Sequence, residues 1–276
     1  MPTTDIQAID VHGHYGDYYR DQGPLEINKF LSADALTVAR RARQANISTT
    51  IVSPLSGLLP RGRADVVAAN KEAAETIALT EGLMQWVIVH PLQPQTYQQA
   101  AEMLSQPQCV GIKLHPEEHE YPISEHGEAL FEFAAQHQAV VLVHSGDANS
   151  SPSDFLPLAN THPEVKLILA HLGNGGAASG DPTLQVRAIQ ASSHGNVYVD
   201  TSSARSLTPG LIEWAVGEIG AERILFGTDT PLYFTAMQRA RIDQADITDE
   251  DKRRILYKNA QRLIPELAIE KEAKSC

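Results

Sequence analysis

The chain has 276 residues, of which 42% are hydrophobic and 20% charged, and its net charge is −12 at pH 7. This length suits one large domain, and the acidity argues against a nucleic-acid partner, because phosphate binding needs a concentrated basic surface. The first residues lack a signal-peptide pattern and no apolar run reaches the length of a membrane span, so we expect a cytoplasmic protein that does not bind membranes. Cys109 and Cys276 are too few for a disulfide framework and are expected to be free thiols.

Strand-like and helix-like segments alternate along the chain. The first apolar run ends in the histidines of D-V-H-G-H, and the polar connection after it, residues 15–32, is long enough to carry function. Ser32 is expected to cap the next helix. Seven further strands are predicted over residues 47–54, 83–91, 109–116, 139–146, 165–173, 196–203 and 223–231. Helices are predicted over residues 33–45, 64–81, 94–105, 124–138, 153–160, 182–192, 208–219, 235–245 and 248–262.

Eight strands, each followed by a helix, indicate an α/β protein with parallel strands joined by crossovers. In a chain of this length the pattern predicts a closed (β/α)8 TIM barrel, with residues 1–276 as a single domain. An open doubly wound sheet is the alternative. Such sheets usually carry G-x-G-x-x-G after the first strand, where this chain has H-G-H-Y-G.

Polar side chains recur where the predicted strands end. In a TIM barrel these ends converge on the active site. The residues are His12, His14, Ser53, His90, Lys113, His115, His144, His171, Asp200 and Asp229. A single member has an ordinary explanation, since Asp200 could anchor its own loop as an Asx turn. The whole set is poorly explained by chance, because converging imidazole and charged groups need a metal or a substrate to balance them.

The motifs D-V-H-G-H, G-I-K-L-H-P, L-V-H-S-G, L-A-H-L-G and F-G-T-D-T-P-L-Y-F occur in that order. In this wording and order the chain resembles the amidohydrolase superfamily, most closely the amidohydrolase-related (amidohydrolase 2) branch that includes aminocarboxymuconate semialdehyde decarboxylase. The resemblance covers nearly the whole chain.

The resemblance implies a divalent metal, with zinc as the expected ion. It matches His12, His14, His144 and Asp229 to the ligands of the first metal. It matches His171 to a histidine that polarises the substrate or metal-bound water in single-metal members and binds the second ion in two-metal members. Lys113 matches a lysine that bridges two ions as a carbamate, although a plain ammonium paired with a carboxylate is the alternative. One ion is favoured over two.

Catalysis is assigned to Asp229 and His171, with Asp229 as the proton shuttle. His115 lies two residues beyond Lys113 on the same face and is a candidate substrate contact. Arg61 could bind an anionic substrate, and Tyr233 suits a pocket wall. The remaining histidines are expected at the surface: His119, His126, His137, His162 and His194.

The leading functional prediction is a metal-dependent hydrolase that attacks a C–N or C–O bond of a small molecule, such as an amide, lactone or ester, with a metal-activated water. The alternative is a metal-dependent non-oxidative decarboxylase or hydratase of a small carboxylated substrate, a lyase in which Asp229 and His171 manage a proton at carbon. A non-catalytic binding barrel is a third hypothesis, and a homo-oligomer is compatible with the sequence.

Overall fold

Eight parallel strands form one sheet with the order β1 to β8, in a computed structural model that describes residues 5–175, 180–202 and 207–267. Cys276 lies outside the described residues. The strands are β1 (Ala8–Tyr15), β2 (Ile47–Pro54), β3 (Leu83–Ile88), β4 (Cys109–Leu114), β5 (Val140–Val143), β6 (Leu167–Leu169), β7 (Val197–Asp200) and β8 (Ile224–Leu225). Every neighbouring pair runs parallel, as crossover connections require.

Backbone hydrogen bonds between the first and last strands bring the two sheet edges together. Val11 N donates to Phe226 O at 2.9 Å, Asp229 N donates to His12 O at 2.7 Å, and Gly13 forms a parallel bridge with Thr230. The predicted (β/α)8 TIM barrel is therefore confirmed, and the open doubly wound sheet is not the observed fold.

Helices fill the connections between the strands. They are α1 (Leu25–Phe30), α2 (Ala35–Gln44), α3 (Val66–Ala78), α4 (Gln95–Met103), α5 (Ile123–Gln136), α6 (Leu156–Thr161), α7 (Leu184–Ala191), α8 (Leu211–Ile219), α9 (Thr235–Asp243), α10 (Asp249–Arg253) and α11 (Asn259–Leu263). A π-helical turn, Arg254–Lys258, joins the last two. Among these described segments, no helix is long and apolar enough to cross a membrane.

Two apolar layers follow from the alternation of side chains along the strands. In β5, Val140 and Leu142 belong to the cluster inside the barrel, whereas Val141 and Val143 pack in the outer cluster against the helices. The inner cluster also contains Leu263 from α11. Both faces of each strand are thus buried, which leaves the carboxyl ends of the strands as the place where polar groups can gather.

Two predictions about the connection after β1 differ from the structure. The 15–32 connection contains α1, whose apolar residues Leu25, Ile27 and Phe30 are all exposed, so this helix has no buried face. The cap of α2 is Asp34, which accepts from Thr37 N, whereas Ser32 donates to Asn28 O and accepts from Tyr18 N. The Ser32 prediction was wrong because its hydroxyl serves the preceding connection.

Candidate functional site

A cavity of about 320 Å³ opens at the carboxyl ends of the strands. Its wall includes five of the ten strand-end residues, together with Arg61 and Tyr233. These lining residues are His14, Arg61, His115, His144, His171, Asp229 and Tyr233. His12 and Lys113 lie deeper, with side chains 1% and 0% exposed. The barrel therefore brings the predicted site residues together at one mouth.

Three buried side chains form a compact group of metal-ligand type. One ligand atom from each of His12, His14 and Asp229 lies within 4.8 Å of the others. Asp229 Oδ1 is 3.2 Å from His14 Nε2 and 3.6 Å from His12 Nε2. Two imidazoles and a carboxylate are donors that divalent transition metals accept. The donor set therefore fits a divalent ion.

His12 is held on both sides of its ring. Its Nδ1 donates to Asp200 Oδ2 at 2.8 Å, because a carboxylate can only accept. This fixes the proton on Nδ1 and leaves the lone pair on Nε2, which accepts from Lys113 Nζ at 2.8 Å. The nitrogen of His12 that could bind a metal is thus bonded to an amine in this structure.

Asp200 organises the network behind His12. Its Oδ1 accepts from His171 N at 3.0 Å and from Ser202 N at 2.9 Å, so it does form the Asx-type loop anchor considered from the sequence. The Ser202 hydroxyl also lies 2.9 Å from His171 Nδ1. Although His12, His171 and Asp200 form a second group of metal-ligand type, both oxygens of Asp200 are already occupied by donors.

His171 and Asp229 have unusual backbone conformations. Their φ angles are 71° and 56°, in the left-handed region that side chains other than glycine rarely adopt. Such strain persists only where surrounding bonds enforce it and is concentrated at functional sites. Here the Asp229 amide bonds to His12 O and the His171 amide bonds to Asp200, which enforces both conformations.

Burial keeps the inner histidines neutral. It lowers the pKa of His12 well below its usual range and that of His171 to about 3. For Asp229, burial alone would raise the pKa, but the hydrogen bond with His14 and the neighbouring His171 and His12 lower it below its ordinary value. Neutral imidazoles beside an ionised carboxylate are the protonation states that metal binding requires.

His144 lies at the edge of this group and belongs to neither set of mutually close ligand atoms. Its Nδ1 is 3.0 Å from His171 Nε2, and its Nε2 is 2.6 Å from Asp147 Oδ2. The ring also stacks on His115, with centroids 4.3 Å apart. His115 is buried and faces the cavity, as its position two residues after Lys113 predicts.

The outer cavity wall carries an ion cluster. Arg61 donates to Glu118 through Nε and Nη2, both at 3.2 Å, and Arg20 also pairs with Glu118. Glu118 is buried, whereas the Arg61 side chain is 49% exposed. Tyr233 also contributes to the wall, so the cavity has both charged and aromatic surfaces.

His119 does not lie at the surface, and that prediction was wrong. It is 2% exposed, its ring stacks on His90 with centroids 4.2 Å apart, and its Nε2 bonds to Gly57 O. The connection after β4 turns inward here, which a helix or loop assignment alone does not reveal. Neither His90 nor His119 lines the cavity.

Several site residues were missed because they lie in connections and not at strand ends. They are Tyr18, Arg20, Glu117, Glu118, Asp147 and Asn174, and Ser202 at the end of the predicted 196–203 strand was missed as well. Of these, Asp147 had a usable signal, because it follows His144-Ser-Gly, a short turn that can bring a carboxylate back over the histidine.

The protein is a parallel eight-stranded barrel, and its histidine and aspartate side chains gather at the carboxyl ends of the strands. It therefore belongs to the class of TIM-barrel proteins with a site of metal-ligand type at the mouth. The family model described as Amidohydrolase matches residues 9–265, and the chain belongs to that family. A search with this chain among proteins of curated function found no match.

Several solved structures share the fold. The 2,6-dihydroxybenzoate decarboxylase from Rhizobium is 15% identical with a TM-score of 0.73, over 93% of this chain and 98% of its own. The 5-carboxyvanillate decarboxylase from Sphingomonas paucimobilis is 13% identical with a TM-score of 0.73, over 94% and 99%. A dihydroxybenzoic acid decarboxylase from Polaromonas, with bound manganese and the inhibitor 2-nitroresorcinol, is 17% identical with a TM-score of 0.68, over 93% and 96%.

These comparisons contradict the leading functional prediction and the enzyme class derived from it. The three structural neighbours are decarboxylases, which are lyases, and not hydrolases of C–N or C–O bonds. The error has a physical origin. A histidine and aspartate site at a barrel mouth serves hydrolysis and decarboxylation alike, so the strand-end pattern cannot separate them.

Proposed function

We propose that the protein is a metal-dependent, non-oxidative decarboxylase of a small carboxylated substrate. The observation that carries the proposal is the convergence of His12, His14 and Asp229, within 4.8 Å of one another, at a small cavity that His171 also lines. The decarboxylases of the same fold support this reaction over hydrolysis.

The proposed cofactor is one divalent ion held by His12, His14 and Asp229, with His144 as a fourth ligand. When bound, the ion would orient the substrate carboxylate and stabilise the negative charge that develops in the reaction. Manganese is the ion named in the Polaromonas neighbour, whereas imidazole-rich ligand sets also suit zinc, so both ions are to be tested.

A single ion agrees with the hydrogen bonds of the second histidine group. A second ion between His12, His171 and Asp200 would have to displace donors from both Asp200 oxygens. It would also have to replace the proton on His12 Nδ1, which is hydrogen-bonded to Asp200. Lys113 is proposed to be a plain ammonium, because a carbamate at this position would serve to bridge two ions and only one is proposed.

The reaction breaks the bond between the carboxyl carbon and the substrate carbon. Carbon dioxide leaves, the electron pair remains on the substrate carbon, and one proton replaces the lost group. We assign the handling of that proton to Asp229 and His171, which both line the cavity. His171 Nε2 lies 3.0 Å from His144 Nδ1, so these two nitrogens are close enough to share a proton. The buried walls limit the access of water to the reacting carbon.

Substrate binding is assigned to His115, Arg61 and Tyr233. Arg61 is the one of these with a permanent positive charge, and its Glu118 partner fixes its direction. The proposal extends to a single domain over residues 1–276, a cytoplasmic location and a small-molecule substrate.

Product analysis in deuterium oxide tests the reaction. Protein loaded with Mn²⁺ or Zn²⁺ is incubated with 2,6-dihydroxybenzoate, 5-carboxyvanillate and related hydroxybenzoates, and carbon dioxide release is measured together with deuterium at the vacated carbon. Parallel assays use amides, esters and lactones. Release of carbon dioxide with one deuterium per product supports the proposal, and hydrolysis without it would contradict the proposal.

A further inference from the structure

The Asp147 carboxylate fixes the protonation of the His144 ring. Asp147 Oδ2 lies 2.6 Å from His144 Nε2, and an ionised carboxylate can only accept a hydrogen bond. The same contact is the main reason that the pKa of Asp147 lies below its ordinary value. His144 therefore carries a proton on Nε2, which leaves Nδ1 as the ring nitrogen that can act as a ligand.

Nδ1 of His144 faces the buried histidine group. His144 Nδ1 is 3.0 Å from His171 Nε2, and the His171 ring is 4.9 Å from the His12 ring, measured between centroids. If Nδ1 carried the proton instead, the lone pair of the ring would be on Nε2, where it would point at Asp147 and away from the histidine group. The Asp147 carboxylate thus decides which nitrogen of the His144 ring can act as a ligand.

The turn after β5 is built to bring this carboxylate back. Gly146 has a φ of 100°, and a Cβ there would lie 2.2 Å from Asn174 O. Only glycine fits this conformation and this close approach. The Gly146 amide bonds to Ser150 O at 2.9 Å, which closes the turn. Asp147 is consequently placed over the histidine three residues before it.

His12 provides an internal comparison. Asp200 bonds to Nδ1 of His12 and leaves Nε2 as the candidate metal ligand, just as Asp147 bonds to Nε2 of His144 and leaves Nδ1. Carboxylates that hold the second nitrogen of a ligand histidine orient the ring and raise its basicity. Asp200 is fully buried, whereas the Asp147 side chain is 37% exposed on the cavity wall.

We propose that Asp147 is a positioning residue that holds His144 in the tautomer and orientation needed for metal binding. The proposal rests on the metal site described under the proposed function. It assigns Asp147 a role through His144, without contact between Asp147 and the reacting atoms.

The first test reads the tautomer directly and needs no metal. In ¹⁵N-labelled apoprotein, long-range proton–nitrogen NMR spectra distinguish the two neutral tautomers, and His144 is assigned by the loss of its signals in His144→Gln. We expect the Nε2–H form in the parent protein. Asp147→Ala should shift His144 toward the Nδ1–H form, whereas Asp147→Asn should retain Nε2–H because its amide oxygen can still accept.

The second test measures Mn²⁺ affinity by titration of the apoprotein, with free Mn²⁺ followed by its EPR signal. Asp147→Ala should weaken binding by about 10- to 100-fold, the usual effect of removing such a carboxylate. Asp147→Asn should lie closer to the parent. Glu117→Gln is the matched control, since Glu117 lines the same cavity but bonds to Asn149. It removes one negative charge without touching His144 and should change the affinity less than Asp147→Ala.

The possible failures are distinguishable. A parent protein that binds neither Mn²⁺ nor Zn²⁺ would overturn the metal site and this role with it. Normal binding in Asp147→Ala with the Nε2–H tautomer retained would overturn the positioning role and leave the metal site intact. Equal losses in Asp147→Ala, Asp147→Asn and Glu117→Gln would show a charge effect only and would likewise overturn the positioning role.

Discussion

Lys113 Nζ lies 2.8 Å from His12 Nε2, so the amine occupies the lone pair through which His12 would bind a metal. Lys113 is fully buried, and burial lowers its pKa to about 8, although Asp229 and Asp200 act in the opposite direction. A metal and the amine therefore compete for the same nitrogen.

The first prediction concerns this competition. Lys113→Met removes the positive charge but keeps a similar side-chain length. We expect the variant to bind one Mn²⁺ per chain at least about fivefold more tightly than the parent, since relieving repulsion at about 4 Å is worth roughly 1 kcal/mol even in a water-like dielectric. Lys71→Met, on an exposed position of α3, is the matched control.

The carbamate alternative predicts the opposite result. If Lys113 bridged two ions, the metal-stripped parent would need both bicarbonate and metal to recover, and Lys113→Met would bind fewer ions than the parent. Elemental analysis together with native mass spectrometry, which detects the added carboxyl group, separates the two outcomes.

The second prediction tests the ligand assignment. His12→Ala combined with His14→Ala should reduce the metal content from about one ion per chain to nearly none. The circular dichroism spectrum should remain that of the barrel, since the apolar layers inside and outside the strands do not include these side chains. Parental metal content in the double variant would exclude both residues as ligands.

The third prediction separates the two proposed roles of Asp229. Asp229→Asn keeps an oxygen that can coordinate but removes the group that handles the proton. We expect kcat for decarboxylation to fall by roughly 10²- to 10⁴-fold, with a smaller effect on metal content. Asp21→Asn, an exposed aspartate paired with Arg63, should leave kcat unchanged. A near-parental kcat in Asp229→Asn would remove Asp229 from the proton transfer.

The barrel was predictable because its signal is repeated eight times. Each strand is an apolar run bounded by polar residues, and the alternation survives errors at single boundaries. The positions of His12, His14, His171 and Asp229 follow from the same repetition, since strand ends must converge.

Residues that act from connections could not be predicted in this way. Glu118 meets Arg20 and Arg61 only because three separate connections fold over the mouth, and none of the three has a periodic pattern. His119 was assigned to the surface for the same reason. The reaction was also mispredicted, because hydrolysis and decarboxylation require similar ligand sets and differ in how the substrate is presented.

The fourth prediction concerns acid stability and His119. Burial is the main cause that lowers its pKa from 6.5 to about 4, the bond to Gly57 O opposes this, and Lys113 adds to it. Between these values the unfolded chain binds the extra proton, so the free energy of unfolding falls as the pH decreases. Between pH 7 and pH 5 one such histidine lowers the free energy of unfolding by about 2 kcal/mol.

His119→Gln keeps a donor for Gly57 O and removes the titration. Urea unfolding followed by tryptophan fluorescence should show a smaller loss of stability from pH 7 to pH 5 in this variant, by about 2 kcal/mol. His194→Gln, at an exposed position, is the control and should behave as the parent. Identical pH dependence in His119→Gln and the parent would show that His119 is protonated equally in both states.

The last prediction tests Arg61 as the substrate anchor. Its guanidinium is fixed by two bonds to Glu118 on the cavity wall, and a bound carboxylate would gain a donor that is already oriented. Because this contact is made in the ground state and the transition state alike, Arg61→Ala should raise KM by about tenfold with little change in kcat. Arg61→Lys should recover only part of the loss, since a lysine cannot reproduce the planar fork. Arg63→Ala, exposed and paired with Asp21 outside the cavity, should leave KM unchanged. A variant in which kcat falls and KM does not would place Arg61 in the chemical step instead.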